Sequence, residues 1–302
     1  MTRDNDSSGD TELAPVPDAR AISLPDNAAL RKAVLTLEHP SLAARLSSLA
    51  GIPLNVLTQA LPAGATSVIS KAITVALKAA IRVAFATLPH ENGDSAAARI
   101  RGSNSSRSGA IHKGLAALSG ALGGTFGLAS LPVELPISTT LILRAVADIA
   151  RNEGENLSNP ETALACLEVF ALGGRAETDD FSDSTYFAVR GALAKTVTEA
   201  TRYIAERGLL EEGGPIAVRL AAQIASRFGV VVSQKAAAQA VPIIGALGGA
   251  VVNTAFMAHF QSIARAHFYV RRLERQYGKT AVQSAYEQIR TKLSNSKKSD
   301  VA

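Results

Sequence analysis

Residues 120–151, GALGGTFGLASLPVELPISTTLILRAVADIAR, decide the fold class of this chain. They overlap a stretch of thirty residues, 114–143, in which Glu134 is the single formally charged side chain. Ala, Gly and Leu dominate the stretch, and this balance favours closely packed helices over sheets, which are richer in β-branched and aromatic residues. The segment therefore predicts an apolar, Gly- and Ala-rich helical unit.

Glycines four residues apart lie on one face of a helix and let a second backbone approach closely. The pentapeptide GALGG occurs at 120–124 and again at 245–249, the second time inside the uncharged stretch 236–258. The repeat marks either an internal duplication or a coincidence between two Ala- and Gly-rich segments. In both cases it predicts two helical units that pack through glycines, namely Gly120, Gly123, Gly124 and Gly127 in the first and Gly245, Gly248 and Gly249 in the second.

The rest of the chain extends this prediction to an all-α, multi-helix bundle. Of the 302 residues 47% are hydrophobic, only 5% are aromatic, and no segment alternates as a strand would. Composition predicts a disordered N-terminal segment over 1–25, a helical domain over 26–295 with a mobile Ser- and Arg-rich loop at about 91–109, and a basic polar tail over 296–302.

Caps and breakers predict where several helices begin and end. Pro132 and Pro136 predict a break before a helix over Ile137–Arg151, because a proline donates no backbone hydrogen bond. Three other helices follow from the same signals: one capped by Ser158 or Asn159 and ended by Gly173 and Gly174, one over Tyr186–Glu206, and one from about Pro215 to Gln239 that is interrupted near Gly229.

Several function classes lack support in the sequence. Cys166 is the only cysteine, so an intrachain disulfide and a thiolate metal cluster are excluded, and a reducing compartment fits. The polar, acid-containing start predicts no signal peptide. No nucleotide-binding, zinc-hydrolase, serine-hydrolase or CxxC motif occurs.

From Arg265 onward nine Lys or Arg face three acids, which suits an anionic surface or a solvated helix face. Because few aromatics, such as Tyr269 and Tyr277, interleave these basic residues and no groove-binding motif is apparent, we expect no nucleic-acid partner.

The uncharged stretches 114–133 and 236–258 are each long enough to cross a bilayer. Against a lipid-exposed span stand their many glycines and alanines and the interruptions at Pro132, Pro242 and Asn253. Two hypotheses follow: a tightly packed protein core, or insertion into a membrane.

Glu134 is the first candidate site residue, because a carboxylate in apolar surroundings needs a cation, a hydrogen-bond donor or a proton. It is either an acid, base or ligand, or a structural cap of the helix predicted to start near Ile137. His259 and His267 lie near an apolar stripe and are expected to point inward as core histidines or site residues. The two histidines are separated by eight residues, about 12 Å along a helix, which is too far for them to share one metal ion. We expect neither a metal nor a cofactor.

If the two GALGG units are superposed, Glu134 and His259 occupy equivalent positions, which raises the hypothesis that they face each other. Basic side chains supply further candidates for binding an anion. Arg144, Asp148 and Arg151 share the polar face of one predicted helix, where they form solvated pairs or reach a phosphate or carboxylate. Arg271 and Arg272 lie on the last Arg-bearing helix.

Three blocks of sequence resemble the EcsC protein family. They are GGTFGLASLPVELPISTTLILRAVADIAR at 123–151, CLEVFALG at 166–173 and AHFQSIARAHFYVRRLERQYG at 258–278, and the resemblance covers roughly 65–295. The family motif matches at Glu134, Arg144, Asp148, His259, His267 and Arg271.

The resemblance implies a bacterial protein that is cytoplasmic, or peripheral to or embedded in the inner membrane, since the family takes its name from a gene beside the subunits of an ABC transporter. Its activity is poorly defined, and no catalytic residue carries over. We therefore keep two hypotheses. The first is a membrane-associated helical accessory protein, linked to transporter or envelope export function, whose basic C-terminal helix contacts headgroups or a membrane protein. The second is a hydrolase or lipid-modifying enzyme with a Glu/His site in an apolar pocket.

Overall fold

The computed structural model describes residues 22–38, 41–50, 65–86, 130–174, 185–207, 214–240 and 249–299. These residues form helices without any strand, which confirms the all-α bundle. The described helices are α1 (Leu24–Glu38), α2 (Leu42–Ala50), α3 (Ala65–Ala86), α4 (Leu131–Asn152), α5 (Pro160–Leu172), α6 (Thr185–Arg207), α7 (Pro215–Ala240), α8 (Gly249–Tyr277) and α9 (Lys279–Ser299).

Helix α8 is the centre of the bundle. It packs against α1, α2, α4, α5, α7 and α9. Its buried side chains recur every three or four residues, as an amphipathic helix requires, and include Val252, Phe256, Phe260, Ile263 and Val270. Helix α5 is buried over its whole length from Thr162 to Leu172, so its apolar side chains face neighbours on all sides.

Helices α4 and α8 lie side by side and run in the same direction. The side chain of Asn253, near the start of α8, hydrogen-bonds to Glu134 near the start of α4. Beyond the other end of α4, Glu155 binds Arg271 of α8. Lys235, near the end of α7, contacts Glu134, so α7 approaches this level from the opposite direction.

The predicted break at the two prolines is wrong. Helix α4 begins at Leu131 and continues through Pro136 to Asn152. Pro132 stands in the first turn, where backbone N–H groups need no partner within the helix. Pro136 removes a single hydrogen bond, the one to the carbonyl of Pro132. The interruption predicted near Gly229 is also wrong, because α7 is continuous there and Ile73 of α3 packs beside that glycine.

The caps of α5 agree with the prediction. The Asn159 side chain accepts a hydrogen bond from the backbone N–H of Glu161, Pro160 is the first helical residue, and the helix ends before Gly173. Helix α6 extends the predicted Tyr186–Glu206 by one residue at each end.

The predicted terminal boundaries differ from the helices that the structure describes. Helix α1 already begins at Leu24, inside the predicted disordered segment, and its Asp26 accepts hydrogen bonds from Tyr269 and Tyr277. The predicted tail is helical as far as Ser299, because neither proline nor glycine interrupts α9. Residues 1–21 of the predicted N-terminal segment and the loop at 91–109 lie outside the described residues.

Most of the two glycine units also lies outside the described residues, including Gly120, Gly123, Gly124, Gly127, Gly245 and Gly248. Gly249 is the first residue of α8 and is buried. The predicted span 236–258 is not one helix, since α7 ends at Ala240 and α8 begins at Gly249. Among the described helices, α7 alone is long and apolar enough to cross a membrane, a test that the core helix of a soluble protein also passes.

Candidate functional site

Glu134 forms a buried ion pair with Lys235, a residue that the sequence analysis did not single out. The Lys235 Nζ lies 2.6 Å from Glu134 Oε1, and neither side chain is more than 3% exposed. Gln239 donates a hydrogen bond to the other carboxylate oxygen at 3.0 Å. The Lys235 ammonium also lies 4.6 Å from the centre of the Phe256 ring.

The environment of Glu134 keeps its carboxylate ionised. Burial opposes ionisation, yet the charge and hydrogen bond of Lys235, with hydrogen bonds from Gln239 and Asn253, hold the pKa of Glu134 below its usual value. The interpretation of Glu134 as the cap of a helix starting near Ile137 is wrong, because α4 starts at Leu131 and the carboxylate binds side chains of other helices.

We call the end of the bundle around this ion pair the apolar end. It is formed by the start of α4, the last turns of α7 and the start of α8. Three large apolar side chains are exposed on α4 and α8 here: Val133 (69%), Ile137 (48%) and Val251 (37%). The end therefore combines a paired charge in its interior with apolar side chains on its surface.

His259 is buried, as expected, but it does not meet Glu134. Its Nε2 donates to the carbonyl oxygen of Gly173 at 2.8 Å. Burial lowers the pKa of His259 to about 4, so the ring is neutral near pH 7. A Cβ on Gly173 would lie 2.4 Å from the Phe260 ring, so glycine is required for this close approach. The hypothesis of a facing Glu134 and His259 has no support among the described contacts, and His259 instead binds the end of α5.

His267 is fully buried and belongs to a different group of side chains. Its Nδ1 lies 3.2 Å from the hydroxyl of Tyr186, which also accepts a hydrogen bond from Arg190. Arg190 forms a bidentate ion pair with Glu274 at 2.7 and 3.1 Å. His267 Nε2 lies 4.0 Å from Glu168 Oε2, beyond hydrogen-bond distance.

Glu168 is the most strongly perturbed carboxyl group near this histidine. Burial raises its pKa to about 7, even though the charges of Arg190 and Arg271 lower it. It lines a cleft of about 720 Å³ between α5, α6, α8 and α9, a volume typical of small-molecule sites. One signal in the sequence points to Glu168: it is an acid inside the apolar block 162–172.

Arg271 and Arg272, two of the arginines predicted to bind anions, are paired with acids of the same chain. Arg271 donates to both oxygens of Glu155, at 2.9 and 3.3 Å, and reaches Glu161 at 3.4 Å. Arg272 pairs with Glu153 at 2.9 Å, and Arg275 also binds Glu155. These guanidinium groups are therefore already occupied.

The polar face of α4 is solvent-facing. Arg144 is exposed, and Arg151 lies 3.4 Å from Asp148, one turn earlier. Such a pair contributes only a few tenths of a kcal/mol when exposed. Among the described residues, no three side chains of His, Cys, Asp or Glu come together as a metal site requires.

The described helices form an all-α bundle with a buried ion pair at its apolar end. A cleft lined by several charged side chains lies between α5, α6, α8 and α9. The sequence of this helical protein matches the model of a known family. It belongs to the EcsC protein family, whose sequence model matches residues 28–273. The match begins and ends earlier in the chain than the resemblance predicted, and it includes most of α1. No curated protein matches the chain, and no solved structure does.

Proposed function

We propose that this EcsC protein is a membrane-associated helical accessory protein that contacts lipid through its apolar end. The observation that supports the proposal is the exposure of Val133, Ile137 and Val251 around the start of α4 and α8. Exposed apolar side chains grouped at one end of a bundle favour contact with lipid or with another protein.

The sequence next to the apolar end strengthens the proposal. Residues 114–130 lead into α4, residues 241–248 connect α7 to α8, and neither segment contains a charged side chain. Both are attached where Glu134 and Lys235 bring these three helices together. Uncharged sequence is thus joined to the helix ends that already expose valine and isoleucine.

Contact with headgroups through Arg271, Arg272 and Arg275 is a weaker alternative. Each of these side chains is bound to Glu153 or Glu155. Binding a phosphate would require breaking these ion pairs. Because each arginine is paired with an acid, the net positive charge that this group presents to a membrane is small. The proposal therefore places lipid contact about 27 Å along α8 from Arg271, at the level of Asn253.

Vesicle flotation tests this proposal. Wild-type protein is expected to float with neutral phosphatidylcholine vesicles and to stay bound in high salt, since the contact is apolar. The triple variant V133E/I137E/V251E is expected to lose at least about tenfold in binding, because each change replaces an apolar contact with a charge. All three positions are exposed, so the variant is expected to fold, which circular dichroism checks.

V218E is the matched control. Val218 of α7 is 53% exposed, and it lies about 25 Å along the helix from Lys235. This variant is expected to float like the wild type. Equal loss in V218E and the triple variant would indicate instead that α7 crosses the bilayer. Wild-type protein that stays at the bottom of the gradient, or a triple variant that floats normally, would contradict the proposal. A link to transporter or export function rests on the family resemblance and would follow only if membrane binding is found.

A further inference from the structure

The cleft between α5, α6, α8 and α9 has a separate group of polar side chains without an evident structural task. Glu168 is about nine-tenths buried and, within the described part of the chain, accepts no hydrogen bond although it lines the cleft. The hydroxyl of Thr201 is buried on the opposite helix and likewise has no described partner. Both residues line the same cleft, where the Glu168 carboxylate only accepts hydrogen bonds and the Thr201 hydroxyl can accept or donate one.

A chain of hydrogen bonds runs from Arg190 through Tyr186 to His267, whose ring lies beside Glu168. Arg190 donates to the Tyr186 oxygen, so the tyrosine hydroxyl uses its own proton to donate to His267 Nδ1. Burial holds the pKa of His267 well below its usual value, so the ring is neutral. Its proton then resides on Nε2, which points toward Glu168 Oε2 from 4.0 Å. This chain of donors ends beyond hydrogen-bond distance of Glu168 and leaves its carboxylate without a partner among the described residues.

The other charged groups around Glu168 come from every helix that forms the cleft. Helix α5 contributes Glu161, α6 contributes Arg190 and Arg202, α8 contributes Arg271 and Glu274, and α9 contributes Lys279. Arg190 is neutralised by Glu274, and Arg271 by Glu155. Arg202 and Lys279 are exposed and screened by solvent. Glu168 is thus the buried charge in the cleft that lacks a close counterion.

We infer that this cleft binds an organic ligand with a primary ammonium group, which pairs with Glu168 and Thr201 while its apolar part lies along α6. An ammonium group offers three donors to these two acceptors and supplies the missing cation. The wall of α6 suits an aliphatic chain, since it presents Phe187, Gly191, Ala194, Val197 and Ala205. This site does not depend on membrane association.

An anionic ligand fits the cleft less well. The two partly buried arginines that line it, Arg190 and Arg271, already make bidentate contacts with Glu274 and Glu155. A carboxylate beside Glu168 would meet a like charge or require its protonation. The Glu168 carboxylate only accepts hydrogen bonds, and an ionised carboxylate or phosphate has no donor to offer it.

Binding of the ammonium group is coupled to ionisation of Glu168. Because burial places the pKa of this carboxyl at about 7, its ionised fraction rises about tenfold from pH 6 to pH 8. An alkylamine remains protonated throughout this range. Affinity for the amine is therefore expected to rise about tenfold across the same interval.

Calorimetric titration of the full-length protein with n-hexylamine, and with hexanoate as the anion of matched length, tests the inference. Wild-type protein is expected to bind hexylamine at pH 8 more tightly than at pH 6, and more tightly than it binds hexanoate. E168Q is expected to lose at least about tenfold in affinity at pH 8 and to lose the pH dependence. T201V, which preserves shape, is expected to weaken binding several-fold.

E161Q is the matched control, because it removes the same charge from a carboxyl of the cleft that is 55% exposed. It is expected to change affinity by less than about threefold, since the charge is screened by solvent. Urea denaturation verifies that each variant is folded. Absence of hexylamine binding at pH 8, equal binding of hexanoate, or equal losses in E161Q and E168Q would overturn the inference.

Discussion

Replacing Lys235 with methionine is expected to destabilise the protein by about 3–5 kcal/mol near neutral pH. The side chain is 0% exposed and its Nζ lies 2.6 Å from Glu134 Oε1. Methionine fills most of the same volume, so packing changes little. The cost arises because Glu134, 3% exposed, keeps its hydrogen bond from Gln239 but loses its counterion.

The pH dependence of Lys235→Met separates a lost counterion from a packing defect. Without the ammonium, burial raises the pKa of Glu134 above its value in the unfolded chain. A raised folded-state pKa means that stability is present at low pH and is lost as the pH rises through that pKa. The variant is thus expected to recover part of its deficit between pH 7.5 and pH 5. A packing defect would persist at both values.

Urea denaturation followed by circular dichroism measures these differences. The double variant E134Q/K235M is expected to lie within about 1.5 kcal/mol of the wild type, because no buried charge remains and Gln239 retains an acceptor. Lys78→Met is the control, since Lys78 is an exposed lysine of α3. A cost below about 1 kcal/mol for Lys235→Met, or a double variant as unstable as the single one, would refute the reasoning.

Three further predictions concern Glu168, Gly174 and Cys166. Glu168→Gln is expected to stabilise the protein by up to about 3 kcal/mol at pH 8 and not at pH 4.5. The pKa of Glu168, about 7 in the folded protein, makes wild-type stability fall as the pH rises between these values. Urea denaturation at both pH values checks this. Gly174→Ala is expected to lower the melting temperature, since its Cβ would lie 2.1 Å from the Arg227 carbonyl oxygen, whereas Gly191→Ala, with no atom within 4 Å, should not. Cys166 is expected to react with a thiol reagent only as fast as the protein unfolds, because burial raises its pKa to about 12; reaction rates with and without urea test this.

The sequence predicts the helical class well because helix propensity, capping and periodicity are local properties. The cap at Asn159 and the end of α5 at Gly173 are examples, since both follow from neighbouring residues. The break predicted at Pro136 fails because a proline costs little near the start of a helix, and the sequence does not show that α4 begins as early as Leu131.

The candidate site is less predictable because its partners come from distant positions. Glu134 is recognisable in the sequence as a lone charge, whereas its partner Lys235 lies about a hundred residues away. A signal for the partner does exist: Lys235 is the single formally charged residue between Arg227 and Arg265. Two lone charges of opposite sign in two uncharged stretches indicate an ion pair, because each alone would be buried at high cost. The pairing of His267 with Tyr186 has no comparable signal.

The ion pair also bears on how uncharged helices keep a defined alignment. Around the apolar end, α7 and α8 contribute mostly alanines and valines, whose small side chains fix the axial position of one helix against another only weakly. A slip of one helical turn, about 5.4 Å, would separate Glu134 from Lys235 and leave both charges buried without a partner. The penalty for that slip is several kcal/mol, larger than the cost of exchanging one alanine contact for another. The pair therefore specifies the alignment of α4 with α7 even where a hydrophobic replacement would be equally stable. The double variant E134Q/K235M is expected to keep its stability, while its backbone amide resonances in NMR spectra broaden because the helices sample more than one alignment.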